Sequence, residues 1–196
     1  MKKTLALLAV LFLVGSLGFA QSLGLHEVGG GVGFVSASVT GSGSGSSSES
    51  LSGFLIAAHA NLGELAKDLT LVPDITYWST SKDISGLTWK LSDFAINANV
   101  HYAIEMEGAV KPYVGAGLGF NSMSSTVALP TYTNPLTGQT FGGNVTASDS
   151  RIGINILAGA NYKMNDQMSL FLEPRYVLAS DFNHFQIKVG ASWAMK

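Results

Sequence analysis

From residue 21 onward, apolar and polar positions alternate with a period of two. The last segment shows it best. Phe185, Ile187, Val189, Ala191, Trp193 and Met195 fall on one face, and His184, Gln186, Lys188, Gly190, Ser192 and Ala194 on the other. Alternation of this length predicts a strand with one apolar and one polar side. Over 151–163, Ile152, Ile154, Ile156, Ala158, Ala160 and Tyr162 oppose Arg151, Gly153, Asn155, Gly159, Asn161 and Lys163, with Leu157 the exception. Over 110–121, Val110, Pro112, Val114, Ala116, Leu118 and Phe120 oppose Lys111, Tyr113, Gly115, Gly117, Gly119 and Asn121. Over 93–104, Phe94, Ile96, Ala98, Val100, Tyr102 and Ile104 oppose Asp93, Asn97, Asn99 and His101. Weaker versions cover 27–37, 51–62, 69–79 and 168–178. These make eight strands, each able to cross a bilayer as a tilted strand of about 9–11 residues.

The connections alternate in length. Loops at Gly41–Ser50, Thr80–Thr88, Ser122–Ser150 and Ser180–Asn183 are separated by turns at Gly63–Asp68, Glu105–Ala109 and Met164–Gln167. Outer-membrane barrels have this form, with short periplasmic turns and longer external loops. Three upward strands also begin alike, at Leu71-Val72-Pro73, Val110-Lys111-Pro112 and Leu172-Glu173-Pro174. Proline cannot donate to the ladder, so each belongs near a strand start, pointing outward. The expected fold is all-β: an eight-stranded antiparallel up-and-down transmembrane β-barrel over 21–196.

Composition separates lipid from a soluble sandwich. Only 12% of residues are charged while 46% are hydrophobic, against about a quarter charged in a typical soluble domain. A soluble lipocalin-like barrel would need apolar residues inside and charge outside, the reverse of this pattern. The aromatic positions fall at two heights. Phe34, Phe54, Tyr77, Phe94, Phe120, Tyr176 and Phe185 lie toward the external end of the apolar face, and Tyr102, Tyr162 and Trp193 toward the periplasmic end. Phe94 to Tyr102 and Phe185 to Trp193 each span on the order of 20 Å along the normal, at about 3.3 Å per residue and roughly 40° tilt. An aromatic girdle at both borders of an apolar band fits that separation.

Residues 1–20 read as a cleavable signal peptide: Lys2 and Lys3, an apolar run from Leu5 to Val14, then Gly18-Phe19-Ala20 with cleavage after Ala20. Export leaves nine basic residues against 13 acidic, so nucleic acid is not an expected partner. With no cysteine, disulfides, thiolate metal sites and cysteine nucleophiles are excluded.

The run Lys111-Pro112-Tyr113-Val114-Gly115-Ala116-Gly117-Leu118-Gly119-Phe120 resembles the fifth strand of the small outer-membrane barrels of the OmpA/OmpX type, the outer membrane protein β-barrel domain. The last strand is similar to the assembly signal of such barrels, with Lys188, Gly190, Trp193 and Met195 in its pattern, although most bacterial members end in an aromatic residue and this chain ends Met195-Lys196. The resemblance implies an outer-membrane location, with membrane lipid and the barrel assembly machinery as partners.

Parity points Glu27, Asp74, Asp93, Lys111, Arg151, Glu173, Arg175 and Lys188 inward. A hairpin centred near Asp181–Phe182 would set Arg175 opposite Lys188 with Glu173 diagonal to it. Facing cations need a carboxylate beside them, so an ion cluster of Glu173, Arg175, Lys188, Lys111 and Glu27 is expected. It would be either a packed polar core or a selectivity filter. Enzymes on this scaffold include lipid A deacylases, which this chain resembles in having Arg-Tyr late in the barrel, at Arg175-Tyr176. They then require an adjacent His and Ser, whereas here Val177-Leu178-Ala179-Ser180 follows. His26, His59, His101 and His184 have no Ser or Asp partner that the sequence can place. His59 and His101 are expected as inner-wall donors near the periplasmic end. No catalytic residue, metal site or cofactor is expected. Gly29-Gly30-Gly31 and Gly115-x-Gly117-x-Gly119 lack the following helix of a phosphate loop. The expected function is a structural or surface-interaction role, with loop 122–150, which carries Val127, Leu129, Tyr132, Leu136, Phe141 and Val145, contacting an extracellular ligand. A small pore is the alternative reading, and a lipid-modifying enzyme the third.

Overall fold

The computed structural model describes residues 23–40, 48–84, 87–180 and 182–195. The signal segment 1–20 and most of loop 41–50 lie outside them. Nine strands follow in order: β1 (Glu27–Thr40), β2 (Ser48–Asn61), β3 (Glu64–Ala66), β4 (Leu69–Ile84), β5 (Leu87–Ala103), β6 (Val110–Thr133), β7 (Thr140–Lys163), β8 (Met168–Ala179) and β9 (His184–Ala194). All pairings are antiparallel between chain neighbours, and two more close the ring. β1 pairs β9 from Glu27↔Ala194 to Ala37↔His184, and β2 pairs β4 from Phe54↔Ser79 to His59↔Asp74. The eight long strands form the closed barrel. The short β3, inside the expected turn at 63–68, adds to the foot of β4 through Glu64↔Thr70 and Ala66↔Leu69.

The barrel is inside-out relative to a soluble one. Phe54 is 74% exposed and Ile152 61%, while Asn99 and Asn155 are fully buried. Closure satisfies the ladder groups that an open sheet would leave bare in an apolar medium. The interior is narrow enough to need glycine. At the β1–β9 seam, a Cβ on Gly33 would meet the Ile187 carbonyl oxygen at 2.0 Å, and one on Gly190 would meet that of Gly30 at 2.2 Å.

The expected loop at 122–150 is a correction. β6 and β7 run on through it as one long hairpin, closed by a turn over 134–139 in which the Asn134 N–H donates to the Gln139 carbonyl at 2.8 Å. The expected loop at 80–88 is likewise mostly strand, with Ile84 opposite Leu87. A bulge interrupts the long hairpin between Leu129 and Tyr132. There Gly142, at φ +97°, lies so close to the Pro130 carbonyl that a Cβ would sit 2.1 Å from its oxygen. Pro130 and these glycines read as loop residues, but a bulge accommodates them within a strand pair.

The two faces exchange character where the apolar belt ends. Below, the outward positions are Phe94, Ile96, Leu118, Phe120, Ile152 and Ile154. Above, they become Thr88, Lys90 and Ser92 on β5, Ser122, Ser124 and Thr126 on β6, and Thr146, Ser148 and Ser150 on β7. The axis-facing side turns apolar over the same stretch. Trp89, Val127 and Val145 stand opposite one another across three strands, with Leu129 one row above. This wall continues downward into Leu91 and Met123, which pack on the buried cluster of Val35, Ala37, Leu55, Trp78 and Phe182.

Candidate functional site

The centre of the lumen is an ion cluster carried by β4, β8 and β9. On β8, inward positions alternate as Glu173 and Arg175; on β9, Lys188 stands directly opposite Glu173, and Arg175 opposite Gln186. The expected register, Arg175 opposite Lys188, is therefore two residues out, because the hairpin centres nearer Ser180. Lys188 Nζ lies 2.8 Å from Glu173 Oε1 and 3.9 Å from Asp74 Oδ2. Arg175 donates from Nε and Nη2 to Glu173 Oε1 at 3.1 and 2.9 Å, from Nη1 to Asp74 Oδ1 at 3.2 Å, and from Nη2 to Asp74 Oδ2. Two carboxylates thus answer two cations. The planar guanidinium suits this arrangement because its fixed fork can address two acids at once.

A shell of neutral donors completes the site. Tyr113 Oη donates to Glu173 Oε2 at 2.9 Å. Asn97 and Asn99 each donate to Asp74 at 2.7 Å, and Asn155 ties those two amides together at 2.9 and 3.0 Å. Every charge is paired and hydrogen-bonded, the condition under which ions are tolerated in a protein interior.

Two of the residues expected in this cluster lie elsewhere. Lys111 is exposed and donates to the Met106 carbonyl at 2.7 Å. Glu27 sits at the lower mouth, 3.9 Å from His59 Nε2. Asp74 takes the place they were assigned. Its inward parity was the available signal, but its meeting with Arg175, 101 positions away, depends on how the barrel closes.

Above the cluster the lumen holds an aromatic group. Trp78, fully buried, stacks on Phe182 at 5.9 Å between nearly parallel rings, and His184 flanks both. Between cluster and plug lie Thr76, Asp93, Asn155 and Gln186, each with a side-chain oxygen that has no hydrogen-bond partner among the described residues. Asp93 is 1% exposed and stands opposite Trp78 in the ladder, with neither carboxylate oxygen bonded. Below the cluster, a cavity of about 50 Å³ is lined by Glu27, His59, Asn61, His101, Tyr113, Glu173 and Lys188, among others. It has room for a few water molecules.

The histidines need a correction. His59 has a serine partner: Ser192 Oγ lies 3.0 Å from its Nε2. Glu27 approaches the same ring nitrogen. A relay for a serine nucleophile uses opposite ring nitrogens for nucleophile and acid, and this arrangement does not supply it. His101 stacks on Tyr113 at 4.6 Å.

On the outer wall, Phe34, Phe54, Tyr77, Phe94, Tyr176, Phe185, Tyr102, Tyr162 and Trp193 are all exposed, and Phe120 is half-buried. In the terminal pattern Lys188 turns into the ion cluster, Gly190 abuts Gly30, and Trp193 faces outward. Met195 follows the end of β9, its N–H donating to the His26 carbonyl at 2.7 Å.

The pattern of the outer membrane protein beta-barrel domain matches residues 5–194. Among solved structures, Neisserial surface protein A is similar at 24% identity with a TM-score of 0.61, over 86% of this chain and 96% of that one. The attachment invasion locus protein Ail of Yersinia pestis, in complex with the heparin analogue sucrose octasulfate, is similar at 14% identity with a TM-score of 0.51, over 88% of this chain and 100% of that one. At these identities the likeness is one of fold. No curated protein matches the chain.

Proposed function

The chain belongs to the outer membrane protein beta-barrel domain family, and from that premise we propose that it is a closed barrel acting outside its lumen, through the β6–β7 hairpin at the cell surface, without catalysis. Its export would use the signal segment 1–20, and its insertion the assembly machinery reading the last strand. The aromatic residues at two heights would then anchor it at the two borders of the lipid.

The observation that carries this reading is the filled interior. Four paired charges and the Trp78–Phe182 stack occupy the cross-section in succession. A side-chain-filled interior is what an eight-stranded ring permits. Loops on a rigid scaffold are where binding groups concentrate, and here the hairpin beyond Asn121 extends for roughly 40 Å at about 3.3 Å per residue. A small pore is the second reading, favoured by the unbonded oxygens of Thr76, Asp93 and Gln186 between cluster and plug.

Single-channel recording separates the two. The chain refolded into a planar bilayer inserts without steady current, beside a Glu173→Ala variant. A steady, ion-selective current that changes in the variant overturns the closed-barrel reading in favour of the pore.

A further inference from the structure

One buried charge in the lumen has no counterpart. Asp74, Glu173, Arg175 and Lys188 balance one another, two carboxylates against two cations. Asp93 is a third carboxylate, 1% exposed, with neither oxygen hydrogen-bonded. An ionised carboxylate held away from water needs a partner of opposite charge.

No neighbouring side chain supplies it. Directly opposite Asp93 stand Trp78 on β4 and Met123 on β6. Its diagonal neighbours are Thr76 and Thr80 on β4, and Asn121 and Ser125 on β6. None of them is basic. Farther off, Arg151 is held by Asp149 Oδ2 at 3.0 Å and by the Ser180 carbonyl, and Lys82 is exposed two positions beyond Thr80.

What surrounds Asp93 instead is oxygen. Thr76, itself buried, has a hydroxyl oxygen without a partner. Thr80 donates its hydroxyl proton to the Ser52 carbonyl at 2.6 Å, which leaves the oxygen able to accept. Asn121 donates from its amide nitrogen to the Gly119 carbonyl at 3.4 Å, and its amide oxygen is the remaining acceptor. Diagonal neighbours on one face lie about 7–8 Å apart, so an ion between Asp93 and these short side chains meets several oxygens at once. A proton on Asp93 answers at most two of the three orphaned oxygens of Asp93 and Thr76, as a bond from one to another. A cation is met by all three.

Charge selects the valence. One carboxylate neutralises a monovalent ion, whereas Ca²⁺ calls for six to eight oxygens at about 2.3–2.6 Å. No group of three acidic or histidine side chains able to hold a metal ion is present among the described residues.

We propose that Asp93, with Thr76, Thr80 and Asn121, binds one alkali-metal cation, Na⁺ or K⁺, at the external end of the lumen. The ion enters past Met123 and Arg151, both only half-buried. A water molecule carried with it accepts from Trp78 Nε1, which is also unbonded. The site makes the buried charge of the lumen neutral as a whole, and it accounts for the Asp93 and Thr76 oxygens without a conducting path.

The test uses the full chain in lipid nanodiscs, with Na⁺ or K⁺ replacing choline at constant ionic strength and pH. Tryptophan emission, to which Trp78 opposite Asp93 contributes, should change saturably. With the ion at ten times its Kd, the urea unfolding constant should fall about tenfold relative to choline. Asp93→Asn keeps the shape, removes the charge and loses both responses. Thr76→Val raises the Kd by about fivefold, the loss of one neutral ligand, and decides the matter if Asp93→Asn does not fold. Absence of a saturable response in the unaltered chain overturns the proposal, as does a response retained in Asp93→Asn or a Kd unchanged in Thr76→Val. Stability that follows pH rather than Na⁺ and K⁺, and ceases to in Asp93→Asn, would assign the missing charge to a proton. Strong coupling of Asp93→Asn with Arg151→Gln in choline would assign it to Arg151; either also overturns the proposal. Conductance enters none of these readouts, so the closed-barrel reading stands or falls separately.

Discussion

Replacing Asp74 by Asn keeps the shape of the side chain but removes one of the two carboxylates that neutralise Arg175 and Lys188. Glu173 remains, 2.9 Å from Arg175 and 2.8 Å from Lys188, and one carboxylate then faces two cations in a site from which Asp74 and Arg175 have almost no access to water. The new amide also turns a donor toward Asn97 or Asn99, whose own amides donate to Asp74. Breaking a buried pair by removing one partner costs about 3–5 kcal/mol. Arg175→Met should cost a similar amount, since it leaves Asp74 and Glu173 with Lys188 alone. The double variant restores balance, one carboxylate to one ammonium 2.8 Å away, and should lose no more than about 2 kcal/mol, because a balanced apolar replacement of buried ions is often close to neutral. Reversible urea unfolding of the refolded barrel in lipid vesicles, followed by tryptophan fluorescence, measures all three. The coupling between the single variants should be about 4 kcal/mol or more. Single variants that cost under about 1 kcal/mol, or a double variant that costs their sum, would refute the account of the cluster as one neutral unit.

Two further outcomes follow from the plug and the belt. Trp78→Ala deletes the ring stacked on Phe182; it should cost about 3–5 kcal/mol in the same unfolding assay and open intermittent currents in a planar bilayer, where the unaltered chain shows none. Ile154→Arg, on the outer face of β7 within the belt, should cost about 2–4 kcal/mol near the bilayer midplane, while Thr126→Arg, on the outward face of the neighbouring β6 above the belt, should stay within about 0.5 kcal/mol; equal costs would move the membrane border.

The period-two pattern suffices for the eight strands within the apolar belt, their inward faces and their chain-neighbour pairing, but not for β3 or for the strand continuation above the belt. Residues such as Asn99 and Ile154 reveal their side of the wall by parity alone. What parity does not carry is registry across the closed ring. Asp74 meets Arg175, and His59 meets Ser192, through the stagger with which the sheet closes, and no local feature encodes it. The expected Arg175–Lys188 pairing differs from the observed register by two residues for a related reason: the β8–β9 connection contains no Asn-Gly or Gly-Gly pair to fix its centre. The upper hairpin has the sequence character of a loop because its outward face is Ser and Thr and its axis-facing side carries Val127 and Val145, an alternation opposite in sense to the belt below. Strand continuation there is decided by β-branched residues in both faces, which suit a pleated surface whether or not lipid covers it.

The glycines at the β1–β9 seam bear on how the ring is completed as well as on how it is packed. β1 and β9 are the first and last strands, so their pairing joins the most distant parts of the barrel, from Glu27 to Ala194. Contacts of such separation form late, after the chain entropy of every intervening segment has been lost. At that final step the two strands must slide together with whatever projects between them. Gly33 and Gly190 offer only hydrogen where the opposing carbonyls arrive, and the seam can zip without a side chain first having to rotate away. A single added methyl there would act as a catch on a closing door, its effect felt first in the rate at which inserted, closed barrels accumulate.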